Sequence, residues 1–356
     1  MKRKNLAVRK KVKNKNILIQ DNKILNFYRK FESNIFKYIK RKSFAIAVSG
    51  GSDSLCLAYF SKIYSDELKN KVYFLIIDHK LRKESKKESN EVSKLLKKKD
   101  IKSHILNWQG KIPKSNIQKN ARNMRYSLIS NFCKEKNIKY LLTAHHLDDQ
   151  IENFFIRLSR GSGLAGLSSM PETVNYNENL KIVRPFLIFK KEELKSITLS
   201  YFKTFIEDPS NKNNKFLRVR IRKYRNIMNK EGLDTNKIIK TINNLMSAEQ
   251  ALSYYKNKAL YKHVKFVSKS KCFINRKIFL EEAGEIIFKS FSGILSLISG
   301  TYYPPRSKKV LNLINRLKKN KFTKSTLGGC IIEKKEGTVI ISKESKVSKM
   351  PIHAEK

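Results

Sequence analysis

Phe44-Ala45-Ile46-Ala47-Val48 runs directly into Ser49-Gly50-Gly51-Ser52-Asp53-Ser54, and that run into Leu55-Cys56-Leu57-Ala58-Tyr59-Phe60. An apolar stretch, a glycine pair and a renewed apolar stretch read as buried strand, tight turn and first turn of a helix. Gly50 and Gly51 let the backbone approach an anion closely and take φ > 0 where the turn needs it. The unpaired N–H groups that open the new helix, at its positive dipole end, favour phosphate. Ser52 and Ser54 can add hydroxyl donors, and Asp53 can hold a Mg²⁺ that bridges phosphate oxygens. No lysine stands where a Walker loop needs one, so this is a phosphate site of another kind.

Composition points to a polyanionic partner. Of 356 residues, 77 are Lys or Arg and 30 are Asp or Glu, a net charge of +47. A field of that size attracts nucleic acid and speeds its encounter. Biased codon usage accounts for part of a composition rich in Lys, Asn and Ile, but Asp and Glu have not risen with it. No apolar core of signal-peptide length follows the basic Met1–Asn16, and no apolar run is long enough to cross a membrane. Cys56, Cys133, Cys272 and Cys330 are widely spaced in apolar surroundings, as expected of core thiols in a reducing compartment. A cytoplasmic location without membrane contact is the expectation.

Along the chain, residues 1–16 carry eight basic side chains and no acid and read as a flexible arm. Residues 17–215 alternate strand-like runs (44–48, 72–78, 103–108, 139–144) with helix-like ones (88–98, 116–136). That alternation is the mark of a parallel sheet covered by helices, with ligands beyond the carboxyl ends of its strands. Ser49–Ser54, Asp78–His79 and His145–Asp149 each begin where a strand ends, and so share one rim. Residues 216–295 read as a helical region, strongly basic at 216–228, with long helices over 234–265. Residues 296–346 read as a small α+β domain with a hairpin at 330–341, and 347–356 as a frayed tail.

Three further clusters carry chemistry. Asp78-His79-Lys80-Leu81-Arg82 follows the second strand, where a loop lies beside a bound nucleotide. Arg122 and Arg125, three apart on a helix, share a face suited to phosphate or carboxylate. In Thr143–Glu152, helical spacing puts His145, Asp148, Asp149 and Glu152 at i, i+3, i+4 and i+7, on one face. Three carboxylates and an imidazole repel one another unless cations meet them; Mg²⁺, a substrate ammonium or the arginines above would serve.

These motifs, in this order, resemble those of the tRNA(Ile)-lysidine synthetases within the N-type ATP pyrophosphatases: S-G-G-x-D-S at 49–54, D-H-x-L-R-x-x-S at 78–85, A-R-x-x-R-Y at 121–126, T-A-H-H-x-D-D-Q-x-E at 143–152, R-G-x-G-x-x-G-L at 160–167 and E-D-P-S-N at 207–211. The sequence Thr326-Leu327-Gly328-Gly329 with its following hairpin is similar to the family's distal domain. Asn153 and Val219 depart from the family pattern, without removing an expected charge. The resemblance implies a parallel-sheet, adenine nucleotide alpha hydrolase-like catalytic domain, then a helical region and a small α+β domain.

The resemblance also implies a reaction: ATP adenylates the C2 oxygen of the wobble cytidine in a CAU-anticodon isoleucine tRNA, pyrophosphate leaves, and free L-lysine displaces AMP. ATP would bind at Ser49–Ser54, Asp78, His79, Arg82 and Arg125, with Mg²⁺ on Asp53. Arg122 would meet the adenylate, and His145, Asp148, Asp149 and Glu152 would bind lysine and take its proton. Arg218, Arg220, Arg222 and Arg225 would track tRNA phosphates. A homodimer is compatible with the sequence, which leaves the oligomeric state open. A tRNA thiolase shares the adenylation but needs sulfur chemistry, and no C-x-x-C occurs. A tRNA-binding protein with a relict nucleotide domain and a GMP- or NAD-type synthetase are the other readings; intact motifs oppose the first, and the basic carboxyl half opposes the second.

Overall fold

A computed structural model describes residues 19, 21–80, 84–110, 117–168, 170–207, 214, 217–301, 304–319 and 322–344. The expectations for the arm 1–16, Arg82, residues 208–211 of the E-D-P-S-N motif and the tail 347–356 lie outside the described residues. The chain forms two compact units, 1–242 and 243–356.

The first unit opens with α1 (Asn22–Ile39), capped by Asp21, whose carboxylate accepts the Lys23 N–H at 2.7 Å. Then come β1 (Phe44–Ala47), α2 (Ser52–Leu68), β2 (Val72–Asp78), α3 (Ser85–Lys97), β3 (Ser103–Asn107), α4 (Ile117–Glu135), β4 (Tyr140–Leu142), α5 (Leu147–Leu158) and the short α6 (Leu164–Leu167). Strands β5 (Thr173–Asn175) and β6 (Lys181–Val183), α7 (Lys191–Phe202) and α8 (Leu217–Lys230) follow, and α9 (Thr235–His263) runs from this unit into the next.

The six-stranded sheet has the order β3-β2-β1-β4-β6-β5, parallel except for the edge strand β5. The expected parallel sheet is present, and its order decides where a ligand goes. Succession runs outward from β1 through β2 to β3, then returns to place β4 on the other side of β1. The crevice at that reversal lies beyond the carboxyl ends of β1 and β4. Those ends carry Ser49–Ser54 and His145–Asp149.

Burial explains the rigidity of that rim. One core joins Phe31, Ile35, Phe44, Ile46, Leu55, Leu57, Phe60 and Tyr64 between α1, α2 and the sheet; another places Tyr126, Ile129 and Cys133 of α4 on its opposite face. The apolar residues of β1 and α2 on either side of the glycine pair are fully enclosed, so the turn between them has fixed ends.

The second unit contains β7 (Val264–Ser268), β8 (Lys271–Asn275), α10 (Ile278–Glu281), α11 (Gly284–Ser299), α12 (Ser307–Lys318), β9 (Lys324–Leu327), β10 (Cys330–Lys335) and β11 (Thr338–Lys343). These strands form a five-stranded antiparallel sheet, β7-β8-β11-β10-β9, with α11 and α12 on one face around Phe291, Ile294, Val310 and Ile332. The hairpin expected over 330–341 is β10–β11, turning at Glu336-Gly337. The stretch 216–295 contributes to both units, and β7–β8 within it pair as a hairpin that its helical pattern did not announce.

Candidate active site

The glycine turn is closed by its own atoms. Gly50 sits at φ +87°, where an L side chain is strained, and a Cβ there would meet Val92 Cγ2 at 2.5 Å. The Ser54 hydroxyl accepts the Ser49 N–H at 3.1 Å and donates to the Gly51 carbonyl at 3.0 Å. Ile206 N–H donates to the Gly50 carbonyl at 2.9 Å, and Thr198 Oγ1 donates to the Ser52 carbonyl at 2.6 Å. Ser54 therefore shapes the loop rather than offering its hydroxyl outward. The first N–H groups of α2 have no carbonyl partner within the helix, the arrangement an anion site uses.

Asp53, in that first turn, faces His146, which the sequence reading did not single out. His146 Nε2 lies 3.5 Å from Asp53 Oδ2 and 3.5 Å from Asp149 Oδ2, and its Nδ1 lies 3.7 Å from Asp148 Oδ2. Burial opposes a charge on this imidazole, yet the Asp53 hydrogen bond and the three carboxylates hold its pKa above the ordinary value. Burial likewise works against an ionised Asp53, but His146 and then Lys191 keep its carboxyl below the usual range.

The expected four-residue stripe needs one correction. Helix α5 begins at Leu147, with His146 as its extended N-cap, so His145 precedes the helix instead of starting its face. His145 leaves β4 with Nδ1 2.9 Å from Thr143 Oγ1. Burial first, and then the nearby positive charges of Arg184, Arg122 and Arg218, push its pKa down to about 4 against the pull of Asp149. The pKa values of the two adjacent imidazoles are thus shifted in opposite directions. The doubled histidine of Ala144-His145-His146 was the available signal for the second one.

The cations that meet the acidic helix come from α8. Arg222 donates through Nε and Nη2 to both oxygens of Glu152, the second bond measuring 3.1 Å, and Arg225 donates to Asp148 and, at 2.8 Å, to Thr235. Lys191 N–H donates to Asp148 Oδ2 at 2.8 Å. Burial favours a neutral Asp148, but these donors hold its carboxyl low. With Asn229, Lys190 and Glu192 the same residues line a cavity of ≈ 360 Å³. Arg222 and Arg225, expected on tRNA phosphates, are spent on the site's own carboxylates, whereas Arg218 and Arg220 on the same helix are exposed. Lys190 and Lys191 are site residues that no sequence motif indicated.

On the opposite side of the rim, Asp78 is buried and accepts hydrogen bonds from the Ser85 hydroxyl and, at 3.0 Å, the Lys80 N–H. Its carbonyl accepts the Trp108 N–H at 3.0 Å, tying the ends of β2 and β3 together. Asp78 therefore shapes its loop. Arg125 Nη2 lies 3.2 Å from His79 Nε2, which brings those two expected nucleotide contacts together, while Arg122 stacks over Tyr126 at 5.0 Å.

Mg²⁺ fits the donor chemistry here. Asp53 and Asp149 bring hard carboxylate oxygens to one imidazole nitrogen, His146 Nε2, and Mg²⁺ is held by one or two carboxylates with substrate phosphates rather than by an all-protein cage. Among the described residues no group of three or more His, Cys, Asp or Glu side chains forms such a cage. The four cysteines are buried and unpaired, and burial pushes the Cys133 and Cys272 thiols up to about 12, far from a reactive thiolate.

The PP-loop domain family matches residues 20–231. A tRNA(Ile)-lysidine synthase of Orientia tsutsugamushi (strain Boryong) is 35% identical over 311 residues, 84% of this chain and 69% of that protein. The chain belongs to the tRNA(Ile)-lysidine synthase family. It is accordingly an ATP-using ligase of the PP-loop class. The corresponding protein of Wolbachia pipientis wMel is 35% identical over 85% of this chain and 70% of its own length. Among solved structures, the U34-tRNA thiolase NcsA of Methanococcus maripaludis superposes with a TM-score of 0.54 over 63% of this chain and 80% of that one. At 15% identity that likeness concerns the fold alone. Among the described residues no helix is long and apolar enough to cross a membrane.

Proposed function

We propose that this chain joins L-lysine to C2 of the wobble cytidine of a CAU-anticodon isoleucine tRNA, through an adenylated cytidine and with release of pyrophosphate and AMP. The observation that carries this reading is the juxtaposition, across one crevice, of the phosphate loop with a carboxylate-rich helix end. One half suits ATP, the other an ammonium group.

The backbone N–H groups at Gly51–Ser54 hold the phosphates and meet the charge that develops on departing pyrophosphate. Asp53, with Asp149, would hold Mg²⁺, which when bound neutralises phosphate charge. His79 and Arg125, which meet each other, would contact the nucleotide's outer groups, and Arg122, whose charge is felt at His145, would act electrostatically on the adenylate. Asp148, Asp149 and Glu152 bind the lysine side chain, whose ε-amine attacks C2 after losing a proton. Of the two imidazoles, His145 is the neutral one and has a lone pair for that proton. Its low basicity rises when anionic substrate replaces water beside it. The wobble base leaves its stack to enter the crevice, and Arg218 and Arg220 meet phosphates.

The test is incorporation of labelled lysine into an isoleucine tRNA bearing CAU, with ATP and Mg²⁺, counting AMP formed per lysine. A CAU methionine tRNA is the control. Transfer confined to the isoleucine tRNA with matching AMP is the expected result. ATP cleavage to AMP without lysine transfer would keep the fold's chemistry and discard this nucleophile.

A further inference from the structure

The second unit carries surface chemistry that the crevice does not use. Along α9, Tyr254, Tyr255 and Tyr261 are 66%, 55% and 94% exposed, although each is a large ring able to pack. Tyr254, Lys258 and Tyr261 stand at i, i+4 and i+7 and share one face. Tyr255 extends that face, its ring meeting Tyr254 edge-on at 5.4 Å. The opposite face is committed inward: Ala259 and His263 are buried. The stripe is therefore the outer side of a well-anchored helix.

Charge decides what kind of partner suits it. From Gln250 to Lys265 the sequence holds four lysines and no acid. Glu249, just before, is held by Lys289 at 2.8 Å, and Lys262 pairs with Glu281 at 2.6 Å. Lys258 lies between the rings and Lys265 follows on β7, both exposed. Tyrosine alone serves protein and RNA partners equally, and Phe266 and Val267 on β7 are also exposed, but lysine is depleted from the cores of protein–protein interfaces. Planar rings spaced by lysines suit unpaired bases that stack while the phosphates between them meet cations.

We propose that Tyr254, Tyr255, Lys258, Tyr261 and Lys265 form an RNA-stacking surface that takes unpaired bases of the tRNA substrate. This rests on the tRNA reading above and adds to it a second contact, separate from the crevice. The surface supplies affinity and not chemistry, so it acts on KM for tRNA and leaves kcat alone.

The experiment uses the full chain with an isoleucine tRNA transcript, measuring lysidine formation and tRNA binding at several salt concentrations. Tyr254→Ala/Tyr261→Ala is expected to raise KM for tRNA on the order of tenfold per ring removed, with kcat within about twofold. Tyr254→Phe/Tyr261→Phe, which keeps the stacking plane, is expected to match wild type. Lys258→Ala is expected to reduce the salt slope of binding by roughly one. All these residues are exposed, so thermal unfolding of each variant is expected to match wild type. An unchanged KM in the alanine variant overturns the proposal, as does a loss that the phenylalanine variant shares. Concentration-dependent self-association of wild type, lost in the alanine variant while KM for tRNA stays put, assigns the stripe to a protein contact instead. A wild-type chain that neither binds nor modifies the tRNA overturns the parent reading and this one together; normal wild-type turnover with indifferent variants removes this surface alone.

Discussion

The phosphate loop and the acidic helix face one another across the same crevice, yet they are stabilised in different ways. The loop is closed chiefly by its own residues, through Ser49, Gly51 and Ser54, with Ile206 and Thr198 adding donors to the Gly50 and Ser52 carbonyls, and Gly50 gives it a conformation other residues resist. Helix α5 is not self-sufficient. Its Glu152 and Asp148 depend on Arg222 and Arg225, which lie 70 and 77 residues further along the chain. A structure built from neighbours in sequence can be read from a motif; one balanced by distant charges needs the fold.

The first way to sharpen this contrast is to remove function from the loop without disturbing its shape. Asp53→Ala is expected to lower pyrophosphate release by about a thousandfold or more, roughly 4 kcal/mol in transition-state terms, with tRNA affinity nearly unchanged. Retained turnover would take Asp53 out of the metal role. Removing a distant cation comes next. Glu152 is 2% exposed, so Arg222→Met strands a buried carboxylate and is expected to cost about 3 kcal/mol of stability. The double variant with Glu152→Gln is expected to recover much of that. A double-mutant cycle measures the coupling, and simple additivity would show the pair to be incidental.

Gly50→Ala tests the local half. Its positive φ and the approach to Val92 predict a loss of about 2 kcal/mol in denaturant unfolding, whereas Gly51→Ala, whose added methyl would come no nearer than 3.8 Å to Ser49 Oγ, is expected to lose much less. Equal effects would remove the conformational argument.

The smallest effect concerns the paired imidazoles. Because the His146 pKa lies above its unfolded value, its ion pairs stabilise the fold fully below about pH 6.5, and that contribution fades as pH rises through the folded value. His145, held to about 4, has the opposite sign: its neutral form is stable at high pH, and stability falls as pH drops from about 6.5 toward 4. Imidazole NMR in magnesium-free buffer at pH 6 is expected to find His146 protonated and His145 neutral. His146→Gln is expected to destabilise more at pH 6 than at pH 8. A shared titration midpoint would refute the assignment.

The contrast also marks where the sequence was informative. The alternation from Phe44 to Leu142 gave the strands within a residue or two, because apolar runs and glycine turns encode local structure. Asp53 was marked by the glycine turn, and Asp148, Asp149 and Glu152 were grouped by helical spacing. His146 escaped because helical periodicity was extended one residue too far, past an extended cap. Arg222 and Arg225 were noticed as charges but given to RNA, since nothing in a basic helix says which arginines turn inward. Strands β7 and β8 were hidden in a lysine-rich stretch whose partner, β11, comes much later in the chain.

The bond from the Trp108 N–H to the Asp78 carbonyl has a practical side. Trp108 is the sole tryptophan of 356 residues, its enclosed indole Nε1 has no hydrogen-bond partner among the described residues, and its backbone is fastened to the loop that carries His79. The chain's tryptophan emission therefore originates beside the loop that carries His79, at the ends of β2 and β3. Excited selectively over the 15 tyrosines, this one indole is expected to change its emission when ATP is added if the nucleotide meets His79 as proposed, an optical test in the unlabelled, unmutated protein.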